Sequence, residues 1–360
     1  MQNFFQEPIR KKNFYRLAVL AVFLVFSLPL PSFASAPNNI ADLGQYGDFL
    51  WFIFPILSFI ICFSLWERYG RDPKVNKAIV PEFEISECLT PIEVGTLEGI
   101  GDFKDFFISA AIVGLAVKRY INIEEVDRKW SASGKDFKFK KNRPEEDFLR
   151  LSLPEKILVE GMFKEKKEIF LSLLKDRFYK DAPRIKDAVV SDFALMNLMT
   201  KTGSALKKVF IITACVIFFV GFFLFTIFGS AAVALSAIIS VFIFIIFGFF
   251  MPKRTPKGAG LIWRIKGLRM YMERAEKYCQ QENIFESLLP YAMIFGMMDS
   301  WAKKMEEIYG QEYFQNYHPD WYAASVPENL SADIFIERMN VLSSGIAASV
   351  GAVSGSGGRI

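Results

Sequence analysis

The sequence predicts a mainly α-helical integral membrane protein with three mature transmembrane helices, a cytoplasmic winged-helix-like (α+β) region and a helical tail. Three observations carry this. Hydrophobic residues make up 52% of the chain and charged ones 23%, and the mean hydropathy of +0.24 exceeds what soluble chains usually carry. Two long blocks, 49–66 and 209–251, contain no charged residue. The flanks of those blocks that are rich in Lys and Arg all belong to the same side of a bilayer.

Residues 1–36 read as a signal peptide or signal anchor. Arg10, Lys11, Lys12 and Arg16 lead an apolar run from Leu17 to Leu28. Pro29 and Pro31 break that run before the small residues Ser32, Ala34, Ser35 and Ala36. These are the three parts of a secretory signal, with Ser32-x-Ala34 as the expected cut. Residues 37–48 then form a short extracytoplasmic loop without Lys or Arg. The block 49–66 is close to the shortest helix that crosses a bilayer. As one helix, 209–251 would run about 64 Å, twice the hydrocarbon thickness, so it must fold back at Gly229-Ser230 as a two-helix hairpin.

Orientation follows from the flanking cations. Arg68, Arg71, Lys74 and Lys77 follow the first block, Lys207 and Lys208 precede the hairpin, and Lys253, Arg254 and Lys257 follow it. The positive-inside rule places them in the cytoplasm. The chain is then multi-pass in a bacterial-type cytoplasmic membrane, with regions 67–208 and 252–342 at the inner face.

Within 67–208, Thr90-Pro91-Ile92-Glu93 has the cap, first-turn proline and third-position acid of a helix start. Gly99 and Gly101 end that helix. Apolar residues at Phe103, Phe106, Phe107, Ala110, Ala111 and Leu115 predict a second one. Tyr120–Ile123 and Phe137–Lys140 alternate as two strands of a hairpin. Two helices followed by a hairpin is winged-helix order. Glu155-x4-Glu160-Gly161, capped by Ser152, echoes Glu93-x4-Glu98-Gly99 and suggests tandem units at about 86–143 and 150–200.

Lys118, Arg119, Lys135, Lys138, Lys140, Lys141 and Arg143, interleaved with Phe137 and Phe139, are the candidate contact with an anionic surface. Basic and aromatic interleaving can track phosphates, and a basic cluster can meet anionic lipid. Strand alternation alone accounts for the same pattern, with Phe inward and Lys in water. Region 67–208 holds 27 basic against 24 acidic residues, a weak excess for a nucleic-acid binder. Nucleic acid therefore ranks behind a protein partner.

In the hairpin, Ala232, Ser236 and Ser240 recur at intervals of four and predict a small-residue packing seam. After it, 258–281 reads as an amphipathic helix near the headgroups or packed on the cytoplasmic region. Phe285–Ile308 reads as a further helix interrupted by Pro290. Residues 343–360 read as a flexible Gly/Ser/Ala tail.

Several stretches together resemble one known family. They are Ile79-Val80-Pro81-Glu82-Phe83-Glu84, Leu89-Thr90-Pro91-Ile92-Glu93-Val94-Gly95 and the run from Asp105 to Leu115-Ala116-Val117-Lys118-Arg119-Tyr120-Ile121-Asn122-Ile123-Glu124. Gly267–Glu276, Phe285–Ala292, Trp301–Lys304 and Pro319–Tyr322 continue the series. In this order they resemble the predicted membrane proteins of the domain-of-unknown-function-2207 family, over about Trp51 to Tyr322. The resemblance implies a signal peptide, one span, a cytoplasmic region, a two-span hairpin and a Gly/Ser-rich end. Family members also carry an extracytoplasmic β-domain, in whose place this chain has Pro37–Asp48. The resemblance implies no activity and no catalytic residue.

Several chemistries lack their residues. His318 is the only histidine, which excludes a multi-histidine zinc site. No CxxC pair joins Cys62, Cys88, Cys215 and Cys279, and no Walker A or strand-linked dinucleotide motif occurs. No cofactor and no catalytic site are expected. Neither uncharged block holds an ionisable residue of the kind coupled carriers place in their spans. The expected function is non-enzymatic: spans in the lipid bilayer anchor a cytoplasmic protein-interaction or assembly module, with a protein partner or a second copy of the chain. The alternatives are a membrane-tethered winged-helix nucleic-acid-binding regulator and a subunit of an oligomeric transporter or channel.

Overall fold

The computed structural model describes residues 50–75, 78–82, 89–127, 135–174, 180–274, 284–310, 312, 315, 317, 319–324 and 331–351. The expected signal segment and outer loop, Cys88, Cys279, His318 and residues 352–360 lie outside the described residues.

The apolar blocks form a three-helix unit. Helix α1 (Ile53–Leu65) continues into a π-helical turn, Trp66–Gly70. Further along the chain, the hairpin helices are Lys201–Phe228 and Ala231–Phe250, here α8 and α9. Three segments, Ile53–Gly70, Ala205–Ile227 and Ala231–Phe250, are long and apolar enough to cross a membrane. Gly229 closes α8 at φ 63°, a left-handed conformation that glycine adopts without strain. Ser230 then caps α9 by accepting the Ala232 amide. Helix α9 packs on both α8 and α1, around Cys62, Trp66, Phe210, Ile243, Phe247 and Met251. Leu57, Ile60, Phe219, Phe222 and Phe223 point outward and are exposed. Such a belt is stable only against hydrocarbon, since water would penalise each side chain by about 2 kcal/mol.

The polar part begins with α2 (Pro91–Glu98) and α3 (Phe106–Val117). Strands β1 (Ile121–Asp127) and β2 (Lys135–Lys141) pair antiparallel, with Ile123 opposite Phe139. The short α4 (Glu145–Phe148) leads to α5 (Leu153–Phe163), β3 (Glu168–Phe170), α6 (Leu171–Leu174) and α7 (Ala182–Leu195). Beyond the hairpin come α10 (Pro256–Arg274), α11 (Ile284–Phe295), α12 (Met298–Tyr309), β4 (Tyr322–Ala323) and α13 (Ala332–Gly351). The strands form one mixed sheet in the order β3-β2-β1-β4, with β4 parallel to β1.

One hydrophobic core joins both sides of the hairpin, from Leu89 through Leu198 and from Leu261 to Val350. Helix α3 is its axis. Every residue from Phe107 to Ala116 is buried, because α2, α11 and α13 pack around it. A helix apolar on all sides is what such a position requires.

Three sequence readings meet the structure here. Phe137 and Phe139 are buried, at 2% and 0% exposure, so the strand alternation sorts Phe inward as period two demands. Both α2 and α5 start with the expected capping boxes, Thr90 with Glu93 and Ser152 with Glu155. The second unit then runs through β3 and α6 to α7, and the chain enters α8 directly after it.

The expected flexible tail is corrected over 343–351, which is the second half of α13. Ile346 and Val350 are buried, and Ser109 Oγ donates to the Ser343 carbonyl at 3.1 Å. The small residues that suggest a linker instead let α13 lie close against α3 and α6.

Candidate functional site

The basic residues singled out by sequence are held by acids of the same chain. Lys118 Nζ meets Glu155 Oε1 at 3.0 Å. Arg119, at φ 62°, reaches Asp320 at 3.4 Å and Glu286 at 3.6 Å. Lys138 bridges Glu168 at 2.6 Å and Glu124 at 3.7 Å, and Lys140 also reaches Glu168, at 3.6 Å. The hydrogen bond between Lys138 and Glu168 raises the lysine pKa and lowers that of the carboxyl. Lys141 pairs with Glu145 at 2.7 Å and lies over the Phe148 and Phe163 rings. Arg143 stacks on Tyr120, approaches Asp147 at 4.0 Å and donates to the Arg119 and Lys118 carbonyls. Lys135 belongs to β2 through its backbone, and its side chain lies outside the described residues. The side-chain charges thus cancel locally, leaving little field to attract a polyanion.

The seam residues lie inside the chain's own bundle. Ser236 and Ser240 are buried, and their hydroxyls donate to the carbonyls of Val233 and Ser236. Ala232 is half-buried. One turn along, Gly221 of α8 meets Ala237 so closely that no Cβ fits between them. Small residues on both helices allow this approach.

Sequence reasoning missed the place where the spans meet the polar core. Arg254, just beyond α9, is buried at 7% exposure. Its guanidinium pairs with Asp72 Oδ2 at 2.9 Å, and its backbone amide donates to Asp72 Oδ1 at 2.9 Å. The other guanidinium nitrogens donate to the carbonyls of Leu97, at 2.7 and 3.0 Å, and Glu98, at 2.6 Å. These carbonyls end α2, where a cation also meets the negative pole of the helix. One side chain therefore ties the exits of two spans to the first helix of the core. Backbone bonds complete the junction, from the Thr200 amide to the Lys253 carbonyl and from the Thr255 amide to Leu198, both 3.0 Å. The only sequence signal was a charge directly after a span, and its partner is far away along the chain.

Beside this junction lies a groove of about 730 Å³ between the segment after the first span and the start of α10. Lys74, Lys257 and Arg264 line it, with Glu82 and Trp263. Residues 78–82 can lie this close to α10 because Gly267 has no side chain. A Cβ there would collide with the Val80 carbonyl. Lys266 Nζ sits 4.7 Å from the centre of the Trp263 ring. Lys74 and Arg264 are exposed, and neither has an ion pair among the described residues. This sets them apart from the six described basic residues above.

Glu93 is the most buried acid near the start of α2. Its Oε2 accepts the Thr90 amide and hydroxyl, each at 2.7 Å, while Oε1 is buried without a partner. Burial raises its pKa, and the neighbouring charges of Asp192 and Glu155 add to that. Among the described residues, no three His, Cys, Asp or Glu side chains gather as metal ligands would.

The family model described as predicted membrane protein (DUF2207), C-terminal domain, matches residues 78–305, well over half of the chain. The match runs from the groove segment through both hairpin helices into α12. The chain therefore belongs to that family. No curated protein and no solved structure matches it.

Proposed function

We propose that this family member is a non-enzymatic membrane anchor, carrying at the cytoplasmic face of the cell membrane one folded module that binds a protein partner or assembles with copies of itself. The observation that carries this reading is the single core formed by chain from both sides of the hairpin. The core is clamped to the span exits through Arg254 and Asp72. Such a construction holds a rigid body at a fixed distance from the bilayer, which suits a scaffold. The Lys and Arg flanks of the spans favour the inner face. We read residues 1–36 as the segment that directs the chain to the membrane.

In this reading α2, α3 and the β1–β2 hairpin are winged-helix-like in chain order. The second helix, which would enter a DNA groove, is covered by α11 and α13, and the wing cations are paired with acids. Both features favour protein contact over nucleic acid. The burial of Ser236 and Ser240 within one chain likewise favours an anchor over a pore built on that seam.

The test is site-specific photo-crosslinking in native membranes from exposed positions of the polar module, such as Leu149 and Leu195. The expected result is one reproducible crosslinked species, either a defined partner or a dimer. A chain that stays monomeric and uncrosslinked at every exposed position contradicts the reading.

A further inference from the structure

We infer that the groove between residues 74–75 and 78–82 on one side and α10 on the other is a binding site for the phosphate of an anionic phospholipid whose headgroup also carries hydroxyl groups. This goes beyond the anchoring role, since it gives the membrane surface itself a specific ligand.

The argument starts with place. Lys74 lies shortly after the first candidate span, which ends at Gly70, and Lys257 lies in the first turn of α10, shortly after α9 ends at Phe250. The groove therefore opens at the level where spans emerge into the headgroups, whichever face that is. Its volume of about 730 Å³ suits a headgroup, because pockets for small ligands run from about 300 to 1,000 Å³.

Charge comes next. The six described basic residues of the stretch 118–143 are matched by acids of the chain. Here Lys74 and Arg264 face the same cavity without such a match among the described residues. Two unmatched cations beside a hydrocarbon boundary attract an anionic lipid, because basic side chains near the surface interact favourably with its phosphate. Arg264 can present two parallel N–H donors to phosphate oxygens. Trp263, on the same wall, is the residue type that settles at the level of the headgroups. Glu82, the one acid lining the groove among the described residues, would repel a bare phosphate but accept hydrogen bonds from headgroup hydroxyls. A polyol headgroup satisfies both sets of side chains.

The same phosphate chemistry could come from a free anion, so the experiment separates the sources. The full chain, purified in a neutral detergent, is titrated with phosphatidylglycerol, phosphatidylcholine or inorganic phosphate. Bound adducts are counted by native mass spectrometry. Saturable binding of phosphatidylglycerol is expected, with little of either other probe. The double variant K74Q/R264Q should lose roughly 30-fold in affinity, the effect of two surface cations. K140Q, whose lysine already meets Glu168, should bind as the unaltered chain does.

A second variant separates a groove from general surface charge. A Cβ added at Gly260, which lines the cavity, meets nothing within 4 Å. G260L therefore fills the space without altering charge or disturbing α10, where leucine is the better helix former. It should abolish the adduct. Binding retained in G260L, equal binding of phosphatidylcholine, or equal occupation by inorganic phosphate would each overturn the lipid site. The readout needs no protein partner, so a failure here leaves the scaffold reading standing, and the reverse holds as well.

Discussion

Arg254 shows how much one side chain can decide in this molecule. It is buried, its charge is met by Asp72 at 2.9 Å, and three of its bonds end on the carbonyls of α2. Removing one partner of a buried pair leaves the other uncompensated, which costs about 3–5 kcal/mol. R254M should therefore lower stability by that amount in detergent, read as a fall in the unfolding midpoint, with D72N moving the same way. A variant as stable as the unaltered chain would show that the clamp contributes nothing. Glu93 makes a prediction in pH. Its folded pKa is raised above the ordinary 4.5, so between the two values the folded state holds more protons than the unfolded one. Stability from this group is complete below the unfolded value and lost as pH rises through the folded one. Midpoints measured from acid to neutral pH should fall less steeply in E93Q than in the unaltered chain. Equal slopes would remove Glu93 as a source. The role of Glu93 as a cap is legible in Thr90-Pro91-Ile92-Glu93, because both partners lie within one turn. The role of Arg254 is not, because its partners come together only when the chain folds.

At the scale of elements, what local patterns determine was readable. The two uncharged blocks give three helices long and apolar enough to cross a membrane, a property that length and hydropathy alone fix. The Phe137-Lys138-Phe139-Lys140 alternation gives β2 with Phe inward. What depends on the neighbour was not readable. The stretch 343–351 has the composition of a linker and the structure of a packed helix, because small side chains on α13 suit the tight space beside α3. The groove escaped notice for the same reason. It exists because residues 78–82 cross α10 at Gly267, a contact between distant stretches of chain. Substituting Gly267 tests that crossing. G267A should gain a few tenths to 1 kcal/mol in helix propensity, yet lose about 1–3 kcal/mol by driving a methyl into the Val80 carbonyl. A net fall in the unfolding midpoint is expected. A rise would mean that 78–82 does not lie against α10.

For the molecule as a whole, the unexpected feature is unity. The sequence divides into a region before the hairpin and a region after it. In the fold, α2 and α3 from the first pack directly on α11 and α13 from the second. That is possible only if the hairpin returns the chain to the face it left, so the number of spans and the single core depend on each other. The basic stretch that stood out in the sequence is internally balanced, whereas the less conspicuous Lys74 and Arg264 have no ion pair among the described residues. Charge counts along the chain could not separate the two cases, since pairing is settled by the fold.

The central claim is that both polar stretches form one body at the cytoplasmic face. An impermeant protease, added to sealed vesicles of each orientation, tests it most directly. The account predicts that inside-out vesicles expose the exposed Lys140 and Lys303 regions to cleavage together, and that right-side-out vesicles protect both. Cleavage of either region in right-side-out vesicles, or of the two on opposite faces, would contradict it.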